Sequence, residues 1–233
     1  MSTRLVTAAL LLLTLVCIEP TLAAGAPPTT PAGIPLDAPW KVKLYELTHS
    51  KFLHPGWGWQ HSERDYLVAV QLAKGDGLHV DTDVLFAAAF LHDMSAFMPC
   101  SGPKMEHGEC AARQASAMLR GTGFPMAKLA AVQAAERGHM FYSDAGSEPN
   151  AIVLHDADSL DFLGDIGAAR LLALTGAKAP SFAPAVKTLQ GFLRDIPPKL
   201  ITRTAQRIGA VRARELEAFL DRLHEESFDA RAM

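Results

Sequence analysis

The chain has 233 residues, 49% of them hydrophobic and 20% charged, which is ample for one sizeable core in a single catalytic domain. Its 22 Lys and Arg against 25 Asp and Glu leave a net charge of -3, and no basic cluster stands out that could neutralise a row of phosphates. Duplex nucleic acid is therefore excluded as an expected partner.

The N-terminus has the layout of a secretory signal: Arg4, an apolar run from Leu5 to Ile18, then small residues around Ala23 and Ala26. The run spans 14 residues, short of the roughly 20 that a membrane-spanning helix needs. Cleavage is expected near Ala23 or Ala26, giving a secreted or periplasmic protein with no membrane association afterwards. Val16 stands before Cys17, where a lipoprotein signal requires a small residue. The organisation expected is a signal peptide over 1–23, a tether rich in Pro, Ala and Thr over 24–39, and one domain over 40–228.

From Trp40 onward the apolar residues recur every three or four positions, and no alternating pattern suggests a strand. The spacing predicts helices over 40–53, 62–75, 81–93, 107–121, 125–138, 148–164, 182–195 and 199–224. The third is apolar all round from Val84 to Leu91, as a central buried helix would be. Asp81 and Asp83 suit its start, and Gly121 and Gly123 a stop before Pro125 opens the next helix. Cys100 and Cys110 are the cysteines left after cleavage. An oxidising compartment would let them pair, two free thiols are the plainer state, and His107 between them admits a zinc site.

The chemistry gathers around three segments. His92-Asp93 closes the apolar helix, His61-Ser-Glu-Arg64 opens an upstream one, and Asp156-Ala-Asp158-Ser-Leu-Asp161 lies on a downstream one. An imidazole paired with a carboxylate is a donor mixture that suits Mn, Fe, Co, Ni or Zn better than Ca or Mg. Arg64, three residues after His61, shares its helix face, where a guanidinium fork could hold a phosphate or form a structural ion pair. Ligating imidazoles need their other nitrogen fixed, and Asp161 and Glu63 are candidates for that part. Trp57 and Trp59 precede His61 in a Gly-containing loop. Their indoles could stack on a nucleobase or anchor the loop in the core.

Taken together, these segments resemble the HD superfamily, in which a His, a His-Asp doublet and a distant Asp from separate helices surround one divalent metal. The resemblance runs over roughly 45–225. It extends to a subgroup of small HD hydrolases through His61-x-x-Arg64, Leu91-His92-Asp93, His107-Gly-Glu-Cys-Ala-Ala112, Glu136-x-x-His139, and Asp156-Ala-Asp158-x-Leu160-Asp161 continuing to Gly164-Asp-Ile-Gly167 and Arg170. The chain departs from that subgroup in its export signal, its Cys-bearing insert after His92-Asp93, and the Trp57-Gly58-Trp59 stretch.

The resemblance implies an all-α fold, a single HD-type helical bundle around a divalent metal held by His61, His92, Asp93 and Asp156. Asp93, Arg64, Arg170 and Asp161 are the expected catalytic set, with Arg170 a second candidate for substrate phosphate. His107 and His139 could bind a second metal, contact that phosphate, or be structural. The implied activity is phosphohydrolysis by metal-activated water, acting on a phosphoester or phosphoanhydride, with a small nucleotide as substrate. Two other readings stay open: an HD-type di-iron oxygenase, which requires both His107 and His139 as ligands, and a non-catalytic metal- or nucleotide-binding module.

Overall fold

A computed structural model describes residues 26–101, 105–175 and 181–231, so the expected signal peptide lies outside the described residues. Among them the chain is all-α: ten helices and no strand, with one isolated bridge between Thr29 and Pro35. No helix among the described residues is long and apolar enough to cross a membrane.

The described part of the tether expected over 24–39, residues 26–38, packs onto the fold. Thr30, Ile34 and Leu36 are buried, and the Thr30 amide bonds the Ile34 carbonyl to close a turn. Its apolar residues join the main core, so the folded unit begins well before Trp40. Helix α1 (Pro39–Lys51) starts at a proline whose missing N–H costs nothing at that position. It buries Trp40 edge-on against Phe86 and Phe124.

Helix α2 (Trp59–Asp76) and α3 (Thr82–Leu91) form the centre together with α6 (Leu129–Gly138) and α7 (Pro149–Leu160). Every residue from Val84 to Leu91 is buried, as the unbroken apolar run requires, because α3 packs on α1, α2, α6 and α7. Asp81 caps α3, accepting from the amides of Asp83 and Val84, and Lys128 reaches both acids. Asn150 at the start of α7 exchanges two hydrogen bonds with the Asp81 backbone. These bonds fix where α3 begins, and therefore where it ends.

Beyond α3 a single turn, α4 (Met94–Phe97), leads toward α5 (His107–Leu119), which lies along α6. The helix expected over 148–164 is shorter than the spacing suggests, and a further helix that the spacing did not predict follows it. The first stops at Leu160, and α8 (Gly164–Thr175) follows with Gly164 at φ +65°. A Cβ on Gly167 would run into the Phe162 carbonyl oxygen, so the close turn requires a glycine there. Helices α9 (Ala183–Asp195) and α10 (Arg203–Glu226) close the far side, α10 burying Leu216 and Leu220 but leaving Val211 exposed.

Candidate metal centre

The ends of α3, α6 and α7, the start of α5 and one face of α2 meet at a single point. Residues three and four apart share a helix face, so α2 presents His61, Arg64 and Asp65 together. His92 and Asp93 leave the C-terminus of α3, and His107 opens α5. His139 follows α6, while Asp158 and Asp161 lie three apart at the end of α7. His61, Asp65, His92, His139, Asp158 and Asp161 are all buried.

The imidazole nitrogens are arranged for ligation. His61 Nδ1 donates to Asp161 Oδ2 at 2.8 Å, His92 Nδ1 to the Ala89 carbonyl at 2.9 Å, and His139 Nδ1 to the Glu136 carbonyl at 2.6 Å. With each Nδ1 proton committed, the Nε2 lone pairs face inward. His61 Nε2 lies 3.2 Å from His92 Nε2, 3.2 Å from Asp65 Oδ2, 3.4 Å from Asp93 Oδ2 and 3.3 Å from Asp158 Oδ1. Two sets of donors each fall within 4.8 Å: His61, Asp65, His92 and Asp158, and His92, Asp93 and His139. His107 Nε2 meets the other Asp93 oxygen at 2.8 Å, with Ser95 Oγ on its Nδ1.

The charges are strongly coupled. Burial and Arg170 oppose a charged His61, but Asp65, Asp158 and Asp161 outweigh them and hold its pKa well above the usual histidine value. His92, against the same burial, is raised to about 9 by Asp93 and Asp65. Burial lifts Asp65 to about 7, whereas His92 and His107 overcome burial to hold Asp93 well below the carboxylate range. Burial and His92 lower His139 to about 4, leaving it neutral. In the ion-free chain, protons on His61 and His92 therefore stand where a cation would. Asp65 keeps both oxygens, and Asp158 its Oδ2, with no hydrogen bond in a fully buried setting, an arrangement that costs several kcal/mol unless a charge compensates it. These orphaned oxygens and inward lone pairs fit a divalent cation.

Residues 58–163 match the family model of the HD domain. That stretch is an HD domain. The matched stretch runs from the start of α2 to just beyond α7 and so holds every converging ligand, while Arg170 lies outside it. No curated protein sequence matches the chain. Among solved structures, a Lactobacillus plantarum protein is 22% identical with a TM-score of 0.61, covering 80% of this chain and 96% of its own. Bacillus subtilis YpgQ, solved in complex with ADP, is 19% identical with a TM-score of 0.61, covering 80% and 97%. An HD-superfamily hydrolase from Bacillus thuringiensis is 23% identical with a TM-score of 0.57, again covering 80% and 97%. At these identities the likeness is one of fold.

Within this HD domain, His61, His92 and Asp93 converge as the motif suggests, but Asp156 does not join them. Its oxygens accept the backbone amides of Ile201 and Thr202 at 2.9 and 2.7 Å, tying α7 to the start of α10. Asp158 supplies the carboxylate instead. Two residues along a helix is a turn of about 200°, so Asp156 and Asp158 face opposite ways. Asp161, which reaches His61, shares its face with Asp158, and that three-residue spacing was the available signal. Asp65 was overlooked although its four-residue spacing from His61 places both on one face. Glu63 is buried, but the three Nδ1 protons go to Asp161 and to carbonyls, so it fixes none of these rings.

Arg64 is occupied by Asp161, which accepts from its Nε and Nη2 at 2.8 to 3.1 Å. Arg170 donates Nη1 to the Asp161 carboxylate and carbonyl and Nε to the Gly56 carbonyl, leaving Nη2 buried without a partner. The guanidinium lies 4.4 Å over the Phe162 ring. A cavity of about 290 Å³ opens here, lined by the polar Asp93, His107, Asp158 and Arg170 and by Trp57, Met140, Tyr142 and Phe162. Trp57 stacks on His54 at its edge, while Trp59 packs on Tyr45 and His49 of α1. Cys100 and Cys110 form a disulfide, closing the loop that carries His107.

Proposed function

We propose that the chain is a metal-dependent phosphohydrolase that cleaves a phosphoester or phosphoanhydride of a small nucleotide outside the cytoplasm. The observation that carries this reading is that Asp93 and Asp158, from the buried cluster of donors for a divalent ion, line one cavity together with His107 and with Arg170, whose Nη2 has no partner. His61, His92, Asp93 and Asp158 would hold the divalent ion, which would supply Lewis acidity and a readily ionised water. The other parts belong to the chain. Arg170, held in place by Asp161 and Gly56, offers Nη2 to a phosphoryl oxygen in a dry site, where such a donor is worth most. Asp161 fixes the ring of His61. The rings of Trp57, Tyr142 and Phe162 suit a base or another flat group.

The nucleotide part draws on the ADP complex of YpgQ, carried over by likeness of fold. Export draws on the signal-like layout of 1–23, and the Cys100–Cys110 disulfide is what an oxidising compartment permits.

A two-metal site has an observation in its favour. Neutral His139 has its proton on Nδ1, bonded to the Glu136 carbonyl, so its bare Nε2 accepts and cannot donate to a phosphate oxygen. That nitrogen suits a second cation shared with Asp93 and His107, which is also the requirement of the di-iron oxygenase reading. The test is release of phosphate and pyrophosphate from a nucleotide and phosphoester panel, with Mn, Co, Ni, Zn or Mg, beside Asp93→Ala. Metal-dependent turnover absent from the variant is expected. A metal-loaded chain that turns over nothing on the panel would sink the hydrolase reading, and oxygen uptake by the iron-loaded chain would put the oxygenase in its place.

A further inference from the structure

Of the buried acids around the centre, Asp161 is spent on His61 and two arginines, and Asp156 on two backbone amides. Asp65 has no side-chain hydrogen-bond partner among the described residues. Its side chain is fully buried and neither oxygen accepts a hydrogen bond, yet Oδ2 stands 3.2 Å from His61 Nε2 and 3.5 Å from His92 Nε2. Asp93 Oδ2, from the His-Asp doublet, makes the corresponding approaches at 3.4 and 3.5 Å. By position Asp65 therefore has the same claim on the ion as Asp93. Donors bound at about 2.1 Å lie about 3.0 Å apart along an octahedral edge and about 3.4 Å apart in a tetrahedron. The separations from the two imidazole Nε2 atoms, 3.2 to 3.5 Å, match those edges.

We infer that Asp65 is a fifth protein ligand of the metal, added to His61, His92, Asp93 and Asp158. The inference rests on the metal reading of the site. Three carboxylates and two imidazoles form a harder and more negative donor set than two and two. They leave one octahedral position open, and such a set favours Mn or Fe(II) over four-coordinate Zn. Asp65 would then set which metal the domain selects.

The experiment is calorimetric titration of the ion-free full chain with Mn(II) and Zn(II), for wild type, Asp65→Asn and Asp158→Asn. Circular dichroism checks folding, and the visible spectrum of the Co(II) form reports coordination number. Asp65→Asn should weaken Mn(II) binding at least tenfold to a hundredfold, weaken Zn(II) less, and intensify the cobalt band as the coordination number falls. Mn(II) affinity and a cobalt spectrum unchanged in Asp65→Asn but altered in Asp158→Asn would overturn the fifth ligand alone. No change in either variant would overturn the metal reading itself. Should Asp65→Asn fail to fold, a crystal structure of the Mn-loaded wild type decides: a carboxylate oxygen of Asp65 at about 2.2 Å from the ion is expected, and one beyond hydrogen-bond distance overturns the proposal.

Discussion

Asp161 serves three partners with two oxygens: the His61 ring, the Arg64 fork and Arg170 Nη1. Replacing it with Asn puts an NH2 where one acceptor stood, so His61 or an arginine is left facing a donor. Asp161→Asn should lower metal affinity by about 10- to 100-fold, the usual cost of losing a group that orients a ligating imidazole, as read by titration calorimetry. An affinity equal to wild type would show that His61 is held without it. Single residues were legible in the sequence where the motif is short and rigidly spaced, as at His61 and His92-Asp93. Asp156 against Asp158 was not, because the choice depends on which way α7 is turned. That turn is set by the amides of Ile201 and Thr202 more than 40 positions downstream, which no local pattern contains. Asp65 hid among ordinary surface acids for the same reason: only packing shows that α2 buries that face.

Helix α3 delivers the doublet, and its position depends on its first turn. Asp81 caps it and pairs with Lys128. Burial opposes the charge on Asp81, but Lys128 and the amides of Val84 and Asp83 prevail, so its folded pKa lies below the usual carboxylate value. A depressed carboxylate contributes stability that is complete above the unfolded pKa, near 3.9, and is lost as pH falls through the folded value. Asp81→Ala should cost about 1 kcal/mol at pH 7, and Asp81→Asn, which still caps, should cost less. The Asn deficit should shrink in urea unfolding curves as pH falls below about 4; a deficit independent of pH would assign it to packing instead of charge. The disulfide acts on α5 in the same way, closing a span with a separation of 10 residues. Cys110→Ser should lower stability by about 3 kcal/mol in the chain-entropy account, visible as a lower urea midpoint, and an unchanged midpoint would mean that the loop is ordered without the bond. Helical periodicity located most elements, since packing on α3 enforces it. Helix α8 escaped it because Gly164 and Gly167 read as a stop and not as a start, and the segment over 26–38 escaped it because Ile34 and Leu36 bury themselves without any period.

At the scale of the whole molecule, the ion belongs to the fold as much as to the chemistry. The core holds Asp65, Asp93, Asp158 and Asp161 around a point reached by five helices, and the ion-free chain balances them with protons on His61 and His92. A cation that binds the folded chain alone stabilises it by about 2.7 kcal/mol at a hundredfold excess over its dissociation constant. For a domain of this size that amounts to roughly 5–10 °C of melting temperature, so a chelator should lower the midpoint by that much. The pH dependence has a definite sign. Raised histidine pKa values stabilise the ion-free chain fully below the unfolded value near 6.5, and this contribution is lost as pH rises through the folded values, about 9 for His92. Metal binding needs both rings deprotonated and releases those protons, so it strengthens over the same interval. The midpoint difference between Mn-loaded and chelated protein should therefore widen from pH 6 to pH 8.5 in scanning calorimetry. A difference that is constant or narrows would mean that the ion is not held by His61 and His92, and the protonated rings would then be the permanent occupants of the centre.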